Sequence, residues 1–289
     1  MADVILEPPT PADAAELGRI CFDAFQNISE RHGFENDFPS PEFATMVVGG
    51  SISAENIYSV CARLDGELAG SNFLTLRDEV GGVGPVSVDP PKQGHGIGRK
   101  MMMNLLEHAR EDGIERVRLV QDAFNVTSMS LYASLGFDSK HPLGLLELRS
   151  ATRPNDNIRP MTEEDYDNAD DLCRNIYKVS RRNDLPSATR FGGRALVIER
   201  GGRMRGYIAP SIVGHGVAET DDDMLALMAE AGRHAADAPL PLSMICPLTE
   251  GGLFRGALAA GHRLKKMMNL MAIGPYEEPE GAWLPSVLY

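Results

Sequence analysis

Val86-Ser87-Val88-Asp89-Pro90-Pro91-Lys92-Gln93-Gly94-His95-Gly96-Ile97-Gly98-Arg99 carries the densest chemical signal in the chain. The residues that lead into it, Gly84 to Val88, read as a strand. The spacing of Met101, Leu105 and Ala109 after Gly98 reads as a helix that stops at Asp112-Gly113. Gln93 to Gly98 is then a turn that opens a helix. The first N–H groups of a helix have no partner inside it, and the helix dipole turns its positive end the same way, so the site suits an anion. Glycine lets the backbone come close to a phosphate, which makes a pyrophosphate the natural ligand. No Gly-Lys-Ser/Thr follows, so the turn is not a P-loop. Several strands precede it, whereas a dinucleotide-binding fold places such a turn after its first strand.

Period and punctuation extend the reading on both sides. A strand is expected over Val4 to Glu7, a helix over Pro11 to Glu30, a polar loop over His32 to Ser40 and a short helix over Pro41 to Val48. Strands follow at Ile57 to Leu64 and Glu67 to Arg77. After the Gly-rich turn and its helix come a strand at Val117 to Gln121, a helix at Val126 to Leu135 closed by Gly136, and a strand at Leu143 to Leu148. The class is α/β with a mixed sheet.

A second signal lies about 30 residues beyond the turn, in Asn125-Val126-Thr127-Ser128-Met129-Ser130-Leu131-Tyr132-Ala133-Ser134-Leu135-Gly136-Phe137. Together the two stretches resemble the GNAT superfamily of acetyl-CoA-dependent N-acetyltransferases. That family's cofactor signature, Gln/Arg-x-x-Gly-x-Gly/Ala, is matched by Gln93, Gly96 and Gly98. Its later signature is matched by Asn125, Tyr132, Gly136 and Phe137. The resemblance covers residues 3–150 well and the remainder in outline.

The resemblance implies acetyl-CoA as co-substrate and no metal. It implies that the pantetheine arm pairs with a bulged strand at Val86, Ser87 and Val88. The pyrophosphate would rest on Gln93, Gly94, His95, Gly96, Ile97, Gly98 and Arg99. Direct attack by an amine would follow, with the Val86 N–H stabilising the oxyanion and Tyr132 as general acid to the thiolate. A phenol of pKa ~10 suits that task. Asn125 would either bond the cofactor or cap its helix. The general base stays open among His32, Glu35, Asp37, Asp78, Glu79 and water. Competing readings are an acyl-CoA-binding sensor without turnover and a protein-lysine acetyltransferase.

The chain also repeats itself. Pro8, Thr10 and Asp13 ahead of Ile20-Cys21 recur 152 positions later as Pro160, Thr162 and Asp165 ahead of Leu172-Cys173. The hairpin Cys61 to Gly70 recurs at Val197 to Gly206 with an offset of 136, so the second copy is 16 residues shorter before it. At roughly 150 residues per domain, 289 residues make two domains. These are expected at 1–150, catalytic, and 158–289, degenerate, joined by a linker at 151–157. The layout alone resembles tandem members of the family such as mycothiol synthase. Aligned on Gly261, the second copy has Ala257 opposite Tyr132 and Glu250 opposite Asn125. Its turn, Val217 to Met224, holds four carboxylates and no Gln-x-x-Gly-x-Gly, so no cofactor site is expected there. The tail Gly281 to Tyr289 carries the only Trp and reads as ordered.

Composition sets outer bounds. Hydrophobic residues at 43% exclude a wholly disordered chain. No apolar run approaches ~18 residues, so no transmembrane helix is expected. Residues 1–10 lack the basic and apolar regions of a signal peptide, and four scattered cysteines suggest free thiols and a cytoplasmic setting. The net charge of −13 disfavours nucleic acid and anionic membrane as partners. Residues 1–152 hold 12 basic and 22 acidic side chains, a net of −10. That field suits a small, cationic amine substrate. Monomer and homodimer both remain open.

Overall fold

The computed structural model describes residues 4–149, 154–187, 194–210, 213–235 and 242–289. Two compact units divide the chain, residues 1–119 with 124–137, and residues 120–123 with 138–289. Each is a mixed β-sheet flanked by helices.

The first unit runs β1 (Val4–Glu7), a 3-10 turn, α1 (Ala14–Arg31), α2 (Pro41–Ile52), β2 (Ile57–Leu64), β3 (Glu67–Thr75), β4 (Val80–Val83), β5 (Ser87–Val88), α3 (Ile97–Glu111), β6 (Arg116–Asp122) and α4 (Val126–Ser134). Its sheet order is β1-β2-β3-β4-β6, antiparallel except for β4 with β6. Alternation along β2 sorts the two faces. Cys61 faces Leu17, Ile20 and Cys21 of α1 and Ala44 and Val48 of α2. Its neighbours Val60 and Ala62 face Ile97 and Met101 of α3. Each fully buried aliphatic chain of this kind contributes roughly 1.5–3 kcal/mol.

Two expectations are corrected here. Of the strand expected over Gly84 to Val88 only Ser87–Val88 forms, as β5; β4 ends before it, and Gly84, a cis Gly84–Pro85 bond and Val86 part the two. Pro85 has no N–H to give a ladder, and the Gly84 N–H goes to the Phe73 carbonyl at 2.9 Å. The helix expected over Pro41 to Val48 extends to Ile52, started by the Ser40 hydroxyl, which accepts from the Phe43 N–H at 3.2 Å.

The second unit holds β7 (Asp138–Glu147), β8 (Ile158–Pro160), α5 (Tyr166–Tyr177), β9 (Leu196–Arg200), β10 (Arg203–Ala209), β11 (Val213–Ala218), α6 (Asp221–Ala235), β12 (Ser243–Pro247), α7 (Gly251–Ala259), β13 (Arg263–Ile273) and β14 (Ala282–Leu284). The order is β13-β7-β12-β11-β10-β9-β8, with β14 on β11. β7 begins five residues before the strand expected at Leu143 and lies between β12 and β13. Of the linker positions, 151–153 lie outside the described residues.

The internal repeat reappears as matched structure. Thr10 with Asp13 and Thr162 with Asp165 form the same capping box. α3 and α6 are each 15 residues long, and α4 and α7 each nine. The ion pair Glu7–Arg63 (2.5 Å) recurs as Arg159–Glu199 (2.6 Å) at the equivalent positions with its charges exchanged. In each copy the arginine also reaches the capping aspartate, Asp13 at 3.0 Å and Asp165 at 2.8 Å. The 12-residue α2 has no α-helical counterpart among the described residues. A 3-10 stretch, Arg182–Ser187, stands there, and 188–193 lie outside them.

His215 on β11 is buried edge-on to Tyr207, with ring centroids 5.7 Å apart. Burial first, and the Arg181 cation second, push its pKa down to about 3. The fold therefore needs this ring neutral. Its stabilising share is complete above the unfolded value of ~6.5 and is lost as pH falls from there toward 3, at up to about 1.4 kcal/mol per pH unit. Urea unfolding followed by the single Trp283 should show stability falling between pH 6.5 and 4.5, and His215→Gln should flatten that slope. An equal slope in the variant would assign the acid sensitivity elsewhere.

Candidate active site

The site begins where β4 gives way to β5. β4 pairs in parallel with β6 through Val80–Arg116, Gly81–Val117 and Gly82–Arg118. Among the described residues β5 pairs with β3 alone, through Gly70–Val88 and Ser71–Ser87. Its other edge lies outside the ladder. A Cβ at Gly70 would fall 2.3 Å from the Ser87 carbonyl oxygen, so glycine is what lets β3 draw β5 in. Side chains then pin the following turn. Lys92 Nζ donates to the Leu68 carbonyl at 2.8 Å, and Gln93 Nε2 to the Val88 carbonyl at 3.1 Å.

The turn leads into α3 without a side-chain cap. Gly96 is the N-cap residue at φ 76°, a left-handed conformation that favours glycine, and no acidic residue stands in the first turn. Gln93, Gly94, His95, Gly96 and Arg99 are exposed, and a Cβ on Gly96 would meet nothing within 4 Å. His95 Nδ1 lies 3.1 Å from the carbonyls of both Lys92 and Gln93. Only a protonated Nδ1 can donate to them. The result is an open, uncapped helix start with cations at Arg99 and Lys100, which fits a phosphate group.

α4 packs beside this helix start. Leu131 lies against Gly98, and Arg99 donates to the Ser134 hydroxyl at 2.6 Å. Asn125 caps α4, its Oδ1 accepting from the Ser128 N–H at 3.1 Å. Tyr132 is 7% exposed, 6.2 Å from the Phe137 ring centroid. Burial pushes its phenol up to about 12, above the ordinary ~10 on which the sequence argument rested. It keeps its proton throughout the neutral range and is a weaker acid than its composition suggested.

Among the open base positions, His32 follows the last residue of α1. Its Nδ1 donates to the Ile28 carbonyl at 2.9 Å, and its ring stacks on Phe124 at 5.1 Å. Phe34 stacks on the same Phe124 at 4.5 Å. Sequence reading missed this aromatic platform; its one signal was Phe124 immediately before Asn125. Glu35 and Asp37 are exposed, Asp78 is half-buried, and Glu79 approaches Arg116 at 3.9 Å. Beneath β5, the Cys21 thiol meets the Ser87 hydroxyl and is pushed up to about 12 by burial.

The corresponding positions of the second unit are different. α6 opens with Asp221, Asp222 and Asp223. The Asp223 N–H is capped by Thr220 Oγ1 at 3.2 Å, and its carboxylate pairs with Arg200 at 2.7 Å. Glu219, the fourth carboxylate, pairs with Arg203 and Arg205. Ala257 is buried, and Glu250 makes no side-chain cap on α7. Among the described residues no three His, Cys, Asp or Glu side chains gather as metal ligands, and no helix is long and apolar enough to cross a membrane.

The Acetyltransferase (GNAT) family model matches residues 22–137, the segment that holds both signatures. Residues 22–137 are a GNAT acetyltransferase domain. A mycothiol acetyltransferase of Thermomonospora curvata is 40% identical over 77 residues, 26% of this chain and 26% of that protein, so the match spans about a quarter of its length. A Pyrococcus horikoshii structure assigned as an acetyltransferase has a TM-score of 0.78 at 17% identity, covering 99% of this chain and 94% of that one. A GCN5-related N-acetyltransferase from Sphaerobacter thermophilus has a TM-score of 0.64 at 19% identity, covering 96% and 98%. Beyond the matched GNAT segment, these likenesses extend the fold over both halves.

Proposed function

We propose that this chain transfers an acetyl group from acetyl-CoA to a primary amine of a small molecule, with the chemistry in residues 1–150. The carrying observation is the pairing of an uncapped, exposed helix start at Gly96 with a strand edge at β5 that no other strand among the described residues occupies. An extended amide chain ending in a pyrophosphate satisfies both. Acetyl-CoA brings the activated thioester. Val86, in the irregular segment between β4 and β5, offers its N–H to the thioester oxygen as charge develops there. Tyr132 supplies a proton to the departing sulfur. Because its phenol ionises only near 12, it acts as a donor that is always charged with its proton, at the cost of a steeper transfer.

Among the open candidates we take His32 as the base. Donation of Nδ1–H to Ile28 leaves the lone pair of the neutral ring on Nε2, and the Phe124 stack fixes the ring. A small acceptor accords with the mycothiol acetyltransferases among the relatives. A cationic one accords with the net charge of −10 over residues 1–152.

Three variants test this reading. Gly96→Asp keeps a residue type that tolerates left-handed backbone but sets a carboxylate in the anion site. Calorimetry should show acetyl-CoA affinity at least about tenfold weaker, ~1.4 kcal/mol; unchanged affinity in the folded variant removes the turn as phosphate cradle. Tyr132→Phe keeps the ring and should lower kcat by ~10²–10⁴ with acetyl-CoA binding retained. A change within about twofold means that another group protonates the sulfur. His32→Gln should lower kcat/KM for the amine by a similar ~10²–10⁴ while leaving acetyl-CoA affinity alone. A kcat/KM equal to that of the unmodified chain at every pH gives the proton to water instead.

A further inference from the structure

In the second unit a parallel pair also parts early. Among the described residues β11 runs beside β12 only through Val213–Ser243 and Gly214–Met244. Beyond that point β14 lies antiparallel on β11, through Gly216–Leu284, Val217–Trp283 and Ala218–Ala282. β11 sits between a hairpin and a 15-residue helix, as β4 and β5 do in the first unit. All three β14 side chains are buried, Trp283 completely. Its indole stacks on Tyr177 at 5.1 Å and meets His141 edge-on at 5.0 Å.

The residues that follow β14 are anchored as firmly. The buried Arg181 guanidinium lies 4.1 Å from the Tyr289 ring centroid, donates to Ser286 Oγ at 3.0 Å and to the Tyr289 backbone oxygen, and pairs with Asp184 at 2.8 Å. Asp170 accepts from Ser180 Oγ at 2.6 Å and from the Arg181 N–H at 3.1 Å, holding the anchor in place.

We infer that residues 281–289 are a resident internal ligand, filling in the second unit the slot that the proposed co-substrate takes in the first, and closing that unit to acyl-CoA. The comparison rests on the acetyl-CoA reading above; the seating of the strand does not. Two independent blocks act. The strand edge is taken by a peptide, and the N-terminus of α6 is capped by Thr220 and ringed by aspartates. A pantetheine arm would have to evict three ladder residues and a buried indole, and its pyrophosphate would meet carboxylates.

Trp283 is the only tryptophan in the chain, so its fluorescence reports this slot. The test is acrylamide quenching of the full chain and of its Gly96→Asp variant, each with and without saturating acetyl-CoA, with calorimetry alongside. The expected result is blue-shifted emission, quenching far below that of a free indole, and neither altered by acetyl-CoA in either protein. Strong quenching without ligand would show the strand unseated and overturn the inference. A red shift or a rise in quenching on adding acetyl-CoA would show the slot open and overturn it too. If calorimetry finds no binding anywhere while Trp283 stays shielded, the acetyl-CoA reading of the first unit falls and the internal strand stands.

Discussion

A parallel strand pair that separates before its end leaves backbone N–H and C=O groups outside any ladder, and buried groups of that kind are costly. Both halves of the chain are arranged around this constraint and meet it differently. In the first unit, Pro85 interrupts the strand, β5 is drawn onto β3 by the absence of a side chain at Gly70, and one edge of β5 is kept out of the ladder. In the second, no such break occurs in β11, and a later segment of the same chain completes the hydrogen bonding. On the proposed reading, the first solution reserves those groups for an extended amide ligand. The second consumes them within the fold.

The helix that follows each strand repeats the contrast electrostatically. A helix start carries about half a positive charge and several unsatisfied donors. α3 leaves these in solvent behind a glycine, with no acidic residue in its first turn. α6 answers them locally with Thr220 and three aspartates, and Arg200 then balances Asp223. A helix that has satisfied its own N-terminus has no reason to hold a phosphate. Ladder and dipole therefore point the same way in each unit.

Local signals were legible in the sequence and non-local ones were not. β1 and β2 fall at their expected bounds, and the Asp65-Gly66 turn marks the end of β2. The Gly-rich turn was legible through its glycines, whereas Asn125 and Tyr132 stood out only through the resemblance to the family signature. The strand expected over Gly84 to Val88 was drawn three residues too long at its start, although the resemblance placed a bulge there and Pro85 suits a break in the ladder. β7 was found as a strand, but its partners β12 and β13 lie about a hundred residues on, and no periodicity encodes pairing. β14 is three residues long, too short to show a period at all. The stack of Phe34 on Phe124 joins positions 90 apart. The raised pKa of Tyr132 is likewise a property of its burial, which a tyrosine in a sequence does not declare.

The exchanged ion pair explains how two such copies can diverge in chemistry and keep one architecture. Glu7–Arg63 joins β1 to β2 and Arg159–Glu199 joins β8 to β9, and in both the arginine also holds the capping aspartate that starts the next helix. What this corner requires is one cation placed between two carboxylates. Which strand supplies the cation is immaterial to the packing, since Coulomb energy is unchanged when partners trade places. Passing from one arrangement to the other needs both positions to change, because either single change sets like charges together beside Asp13 or Asp165. On the proposed reading a catalytic position has no such freedom: Tyr132 has a hydroxyl for which the buried Ala257 offers no substitute. Scaffold contacts can be rewritten in pairs with the fold intact, whereas a lost proton donor or an open helix start is lost outright. On that reading, this asymmetry lets the second unit keep its capping box, its helix lengths and its ion pair without the features proposed to bind and activate the co-substrate.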